Sequence, residues 1–198
     1  MITLGDSMLN DKFWDEFVSG KVGAFQQFYT SYFDELYTYS FKIYPDEDFA
    51  KDCVQDVFVN LYERRLSLSK PNNLRNYLYQ SVRNCAYRKL EREKKYRDLK
   101  LDKSKYIIES ETYNNEEEDR NKEVLSVLIR NLSKKQQEIL FLRFSRGFDY
   151  QEIGDLLGID KSSVRKQVYR AIKKIRSSDD FSKSIDIILM MIPSFLKK

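Results

Sequence analysis

The side chains of this chain that could do chemistry fall into three clusters of charged, polar and aromatic residues, all of them suited to binding. Bond-making machinery is missing: histidine is absent, which removes His-containing zinc sites and every His-based triad or general base. Cys53 and Cys85 lack metal-ligand spacing, and no Gly-rich phosphate loop occurs, so neither an enzyme nor a cofactor is expected. The first cluster is Lys161, Ser162, Ser163, Arg165, Lys166, Tyr169 and Arg170, on the side of a helical projection opposite Val164, Val168, Ile172 and Ile175. Short polar groups at a helix start approach base edges, while Arg and Lys meet bases or phosphates. Between Arg130 and Arg176 twelve basic residues face five acidic ones, about +7, as electrostatic capture of DNA requires.

The second cluster mixes cations with rings. Arg75, Tyr79, Arg83 and Tyr87 recur every four residues, and Arg75 to Arg97 holds eight basic residues against two acidic ones. Such a stripe suits unpaired DNA, whose bases stack on aromatic rings while phosphates meet Arg. The third cluster has the opposite sign. Asp52, Gln55 and Asp56 lie three and four apart and so share one helix face, in a segment, Asp46 to Glu63, with six acidic residues and one basic. Taken singly, the second and third clusters would also suit ordinary solvated helix faces.

The elements that must position these clusters are helices. Only six Gly and three Pro occur in 198 residues, too few turn formers for a strand-rich fold, so an all-α protein is expected. Phe25, Phe28, Tyr29, Tyr32, Phe33, Leu36 and Tyr37 recur at helical steps after Gly20 and Gly23. Pro45 and Asp46 stop that helix and start another over about 47–64, with Phe49, Cys53, Val54, Val57, Phe58 and Leu61 inward. A loop at 67–73 precedes a helix running to about Arg97 with Leu74, Leu78, Val82 and Cys85 inward. The two cysteines read as small core residues of a protein in a reducing compartment.

Residues 98–123 carry Glu109, Glu111, Glu116, Glu117, Glu118 and Asp119 with no stable apolar period. This reads as a flexible acidic linker, too poor in apolar surface to offset its ordering entropy. The expected organisation is therefore two small helical domains, 12–97 and 124–178, joined by the linker at 98–123 and followed by an apolar tail at 179–198. The N-terminus lacks the order of a signal peptide, and the apolar run 187–192 is too short for a bilayer. A cytoplasmic protein is expected.

Inside the second domain, Ser133 and Gln136 form a capping box opening a helix over 134–145, which Gly147 ends. Asp149 and Glu152 form another. Gly154 allows a close crossing by the next helix, Gly158 supplies a left-handed turn, and Asp160 caps the helix bearing the first cluster. Val164 returns to the core beside Ile153 and Leu157. These spacings are those of a helix-turn-helix.

With Asp52-x-x-Gln55-Asp56-x-Phe58, Asn73-Leu74-Arg75-Asn76-Tyr77-Leu78-Tyr79 and Leu132-Ser133-Lys134-Lys135-Gln136 in this order ahead of the helix-turn-helix, the chain resembles the extracytoplasmic-function sigma factors of the sigma-70 family. The resemblance covers about 12–97 and 124–176, with Ser133, Gly154 and Asp160 where the family usually has Pro, Ala and Ser. It implies a factor that binds core RNA polymerase at clamp and flap and directs it to promoter DNA. Asp52, Gln55 and Asp56 would grip the clamp. Asn73, Arg75, Asn76, Tyr79, Arg83, Asn84, Tyr87 and Arg88 would hold the melted −10 element. Lys161, Ser162, Ser163, Arg165, Lys166, Tyr169 and Arg170 would read the −35 element. An anti-sigma factor is a further partner that the resemblance allows. The alternative, a stand-alone helix-turn-helix regulator, leaves the acidic face and the basic-aromatic helix of the first domain without a role.

Overall fold

The computed structural model describes residues 14–98 and 128–177, and the chain divides into two compact units. The linker expected at 98–123 and the tail at 179–198 lie outside the described residues, apart from Asp98, which ends a helix. Every regular element among the described residues is helical.

The first unit opens with a helical turn at 14–18, and Gly20 and Gly23 then take positive φ values of 72° and 79°. Helix α1 spans Ala24–Ile43, α2 Glu47–Arg64 and α3 Leu74–Asp98. Asp46 starts α2 by accepting a hydrogen bond from the Phe49 backbone N–H at 2.8 Å. Each of the three helices packs on the other two. Phe28 and Leu36 of α1, Cys53, Val54 and Phe58 of α2, and Leu78 and Val82 of α3 are almost wholly buried. Much of this core is aromatic: Phe28 meets Phe17 and Phe58 with ring centroids 5.1 and 5.6 Å apart. Removing so much apolar surface from water, at about 25 cal/mol per Å², is the main force holding the helices together. All the inward residues expected for α2 and for the start of α3 are buried.

In the second unit, α4 covers Lys134–Leu140 and runs on as a π-helical turn, Phe141–Ser145. Helices α5, Tyr150–Leu157, and α6, Lys161–Arg176, follow. The capping boxes of Ser133 with Gln136 and of Asp149 with Glu152 are both closed, and Gly158 ends α5 at φ 66°. Ile139, Leu142, Phe148, Ile153, Val164 and Ala171 form the core. Three expectations shift here. Leu157 and Ile172 are only half-buried, and Leu156 and Ala171 hold the fully inward positions. A Cβ on Gly154 would lie 2.7 Å from the Ile159 carbonyl oxygen. The close approach is thus to the turn entering α6, not to the body of a crossing helix.

Candidate protein and nucleic-acid interfaces

Helix α2 shows Asp52, Gln55 and Asp56 to solvent, with Cys53, Val54, Val57 and Phe58 buried behind them. The face does not end at Asp56. Val59, Tyr62 and Leu66 continue it at 49, 46 and 83% exposure. Leu66 lies in the 3-10 turn Arg65–Ser67 just beyond α2. Their spacing of seven from Asp52 to Val59 to Leu66, two helical turns each time, was the sequence signal that could have found them. Tyr62 is held by the Phe25 ring, 5.0 Å between centroids, and lies under the Arg65 guanidinium at 4.3 Å.

Asp56 is also tied to α3. Its carboxylate accepts from Lys89 Nζ at 2.9 Å. Against the burial that lowers it, the pKa of Lys89 is held above its ordinary value by this carboxylate. Sequence reasoning missed Lys89, although it stands one helical turn after Cys85.

Between α2 and α3 runs a groove of about 930 Å³ lined by Arg83, Asn84, Tyr87, Arg88 and Arg92, with Asn60 and Arg64 opposite. The Arg83 guanidinium lies 4.7 Å from the Tyr87 ring centroid, a cation over an aromatic face. Four of the residues expected at single-stranded DNA therefore share one concave, basic surface.

The other four do not join them there. Tyr79 is fully buried, packed on Tyr39 with centroids 4.8 Å apart, and its hydroxyl donates to Glu35 at 3.3 Å. Arg75 donates to the same carboxylate at 3.1 and 3.3 Å and is only 25% exposed. The expected continuous stripe is corrected on this point. A step of four residues overshoots a 3.6-residue turn by about 40°, so three steps rotate by about 120°. Arg75 and Tyr79 face α1, whereas Arg83 and Tyr87 have turned into the groove. Asn73 starts α3, its side chain accepting from the Asn76 backbone N–H at 2.9 Å.

Helix α6 exposes Lys161, Ser162, Arg165, Lys166, Tyr169 and Arg170, and half-exposes Ser163. Tyr169 stands out at 68%. The Ser162 and Ser163 hydroxyls donate to the Asp160 carboxylate, as does the Ser163 backbone N–H at 2.9 Å. These bonds, that from Ser162 foremost, hold the Asp160 pKa far below the usual carboxylate range. Each serine thus presents to the exterior an oxygen whose proton is already used. Arg165 lies 5.8 Å from the Tyr150 ring centroid, and Arg143 lies 4.9 Å from the same ring.

Among the described residues no group of His, Cys, Asp and Glu could hold a metal ion, and no helix is long and apolar enough to cross a membrane. Residues 28–96 match the family profile of sigma-70 region 2, and residues 122–175 match that of sigma-70, region 4. The chain is 25% identical over 159 residues to the RNA polymerase sigma factor YlaC of Bacillus subtilis, covering 78% of this chain and 91% of that protein. It is 21% identical over 147 residues to the RNA polymerase sigma factor SigV of the same organism, covering 74% and 86% respectively. Solved structures that share its fold include two sigma-factor complexes. One is the sigma factor RpoE of Bartonella quintana in complex with the anti-sigma factor NepR, with TM-score 0.60, 22% identity, and 78% of this chain and 96% of that one covered. The other is CnrH in complex with the cytosolic domain of CnrY, with TM-score 0.58, 19% identity, and 83% and 93% covered.

Proposed function

The chain belongs to the sigma-70 family, in its extracytoplasmic-function branch, and from that premise we propose how its surfaces divide the work of starting transcription. As an RNA polymerase sigma factor it binds core polymerase and directs it to promoters. The α2 face of Asp52, Gln55 and Asp56, extended by Val59, Tyr62 and Leu66, docks on a clamp helix that offers basic and apolar groups in matching order. The groove of Arg83, Asn84, Tyr87 and Arg88 takes the unpaired −10 strand. Helix α6 lies in the major groove of the −35 element, with Lys161, Arg165, Lys166, Tyr169 and Arg170 on bases and phosphates, while the rest of its unit docks on the flap. The residues from 12 to 97 and from 124 to 178 act as separate domains joined by a linker at 98–123.

One observation carries this division: an acidic helix face stands beside a basic aromatic groove within one three-helix unit, joined through Asp56 and Lys89. An acidic face repels phosphate within a Debye length of about 8–10 Å, so it serves a protein partner. A stand-alone regulator is not favoured, since it gives the region 2 match no role. The chain contributes binding surfaces and no catalytic group of its own, and it works in the cytoplasm with its polymerase. An anti-sigma factor is a further proposed partner, on the precedent of the similar RpoE structure.

The test is the double substitution Gln55→Ala with Asp56→Lys. Charge pairs at an interface cost about 2–5 kcal/mol when one side is removed, so affinity for core polymerase should fall at least about 30-fold. Helicity by circular dichroism should persist. Holoenzyme assembly at wild-type affinity would refute the assignment of the face.

A further inference from the structure

Ser162 and Ser163 are the second and third residues of α6, and both hydroxyls are bound to one carboxylate, that of Asp160. An ionised carboxylate only accepts hydrogen bonds, so the proton in each of these bonds comes from the serine. The Ser163 backbone N–H takes a third place on the same carboxylate at 2.9 Å. We propose that Asp160 is a specificity-determining residue: by holding both hydroxyl protons it makes Ser162 and Ser163 acceptors only, which read an amino-bearing base, adenine or cytosine, on the DNA strand they meet. The DNA half of this rests on the assignment of α6 to the −35 element, and the orientation of the hydroxyls does not.

Serine is ordinarily an ambiguous reader. A free hydroxyl rotates, and it donates to guanine O6 or thymine O4 as readily as it accepts from adenine N6 or cytosine N4. Ser162 and Ser163 lack that freedom. A hydrogen bond to an ionised acceptor is roughly twice as strong as a neutral one, so a serine that turned to a keto oxygen would give up the stronger bond for the weaker. It would also leave part of the Asp160 carboxylate without a partner beside the DNA. Accepting from an amino group requires no such exchange, because each Oγ keeps its lone pairs. The anion behind each hydroxyl polarises it further toward the acceptor role.

In the major groove every base pair carries one amino group, on its adenine or its cytosine, so the serines choose between the two strands of a pair. Their neighbours Lys161, Arg165 and Lys166 are exposed on the same helix and can only donate, which suits guanine O6 and N7. The residues at the start of a recognition helix are those that reach base edges. The start of α6 therefore carries two kinds of reader with fixed polarity, donors set by their own charge and acceptors set by the charge of Asp160.

Holoenzyme assembled from the full-length chain and core polymerase is given promoters carrying each of the four bases at each −35 position in turn. Transcription from each is measured against a common competitor promoter. In the wild type, at least one position should favour adenine and cytosine over guanine and thymine on one strand by about threefold or more, the size of one ordinary hydrogen bond. Ser162→Ala with Ser163→Ala should remove that preference. Asparagine caps a helix about as well as aspartate, but it has one acceptor oxygen and its nitrogen donates, so at least one hydroxyl regains a proton to give. Asp160→Asn should therefore at least halve the amino-over-keto ratio at that position and leave the other positions as they were. If this variant folds poorly by circular dichroism, Asp160→Ser, a second uncharged cap, takes its place. An equal loss on all promoters would reduce Asp160 to a structural cap and overturn the proposal. So would a keto preference at the serine-dependent position, the absence of any such position, or a preference that survives the serine substitutions and is lost with Asp160. A wild-type holoenzyme indifferent to every −35 substitution would instead count against the assignment of α6.

Discussion

Separating Tyr79 from Arg83 tests whether the first unit is built as described, since the two residues lie about one helical turn apart on α3 yet face different surroundings. Tyr79→Ala empties a fully buried site packed on Tyr39, and loss of a buried aromatic costs about 3–5 kcal/mol. Tyr79→Phe keeps the ring and removes the hydroxyl that donates to Glu35 at 3.3 Å, a part-buried hydrogen bond that should be worth about 0.5–1.5 kcal/mol. For a domain of this size each kcal/mol moves the unfolding midpoint by about 4–8 °C. Tyr79→Phe should therefore lower the first transition by a few degrees, and Tyr79→Ala should bring the unit close to unfolding, because total stabilities run about 5–15 kcal/mol. Arg83→Ala loses a cation–π contact at the groove edge worth about 0.5–1 kcal/mol, so its midpoint should barely change. Promoter opening should show the reverse order. With core polymerase, permanganate reactivity of the −10 region should be normal for Tyr79→Phe and strongly reduced for Arg83→Ala. Calorimetry on the free chain and footprinting on the complex measure the two effects separately. The assignment of Tyr79 to the core is refuted if Tyr79→Phe suppresses melting while leaving the midpoint unmoved.

Three further outcomes concern the second unit. Gly154→Ala drives a Cβ to 2.7 Å from the Ile159 carbonyl; the overpacking costs about 1–3 kcal/mol, against a helix-propensity gain of about 1 kcal/mol. The unfolding midpoint of that unit should fall, and a rise would mean that the turn yields freely. Arg165→Ala removes a side chain from the reading face of α6. A base contact is worth about 1–3 kcal/mol, so transcription from promoters with an intact −35 element should drop about tenfold; unchanged output would show that Arg165 does not read. Asp160 has its folded pKa depressed, so its capping stability is present above the unfolded carboxylate pKa of about 3.9 and is lost as pH falls below it. Acid titration below pH of about 4 should destabilise the wild-type unit more steeply than the Asp160→Asn variant, and parallel curves would exclude the cap as the cause.

Helix boundaries were legible where local chemistry fixes them. Asp46, Ser133, Asp149 and Asp160 each close a cap bond with a backbone N–H within three residues, and Gly158 supplies a left-handed turn. The inward faces of α2 and the start of α3 followed from steps of three and four for the same local reason. Longer range information was harder to see. Which side of α3 meets α1 depends on Glu35, some forty residues earlier, whose carboxylate gathers Arg75 and Tyr79. A repeat of four along one helix says nothing about that partner, and it conceals the rotation that splits the stripe. The Asp56–Lys89 pair was hidden likewise, because charge counts by segment placed the two residues in clusters of opposite sign without showing that those clusters touch.

That contact explains how opposite surfaces can share so small a unit. An exposed ion pair contributes little to stability, with a median of about 0–1 kcal/mol, and Asp56 is 58% exposed in its side chain. Its larger consequence is electrostatic. Lys89 offsets the charge of Asp56 in the groove wall, so a DNA strand lying along Arg83 and Arg88 would meet a reduced repulsive field from that carboxylate, while Glu63 and Glu91 also line the groove. Asp52 lies one turn back along the helix, and it also borders a smaller pocket with Lys89 and Arg92. The exposed carboxylates Asp52 and Asp56 thus lie on α2, and the basic residues Arg83, Arg88 and Arg92 line the groove from α3. Two partners of opposite charge can then be held by adjacent helices, each meeting the sign it needs, with one lysine marking the boundary between them.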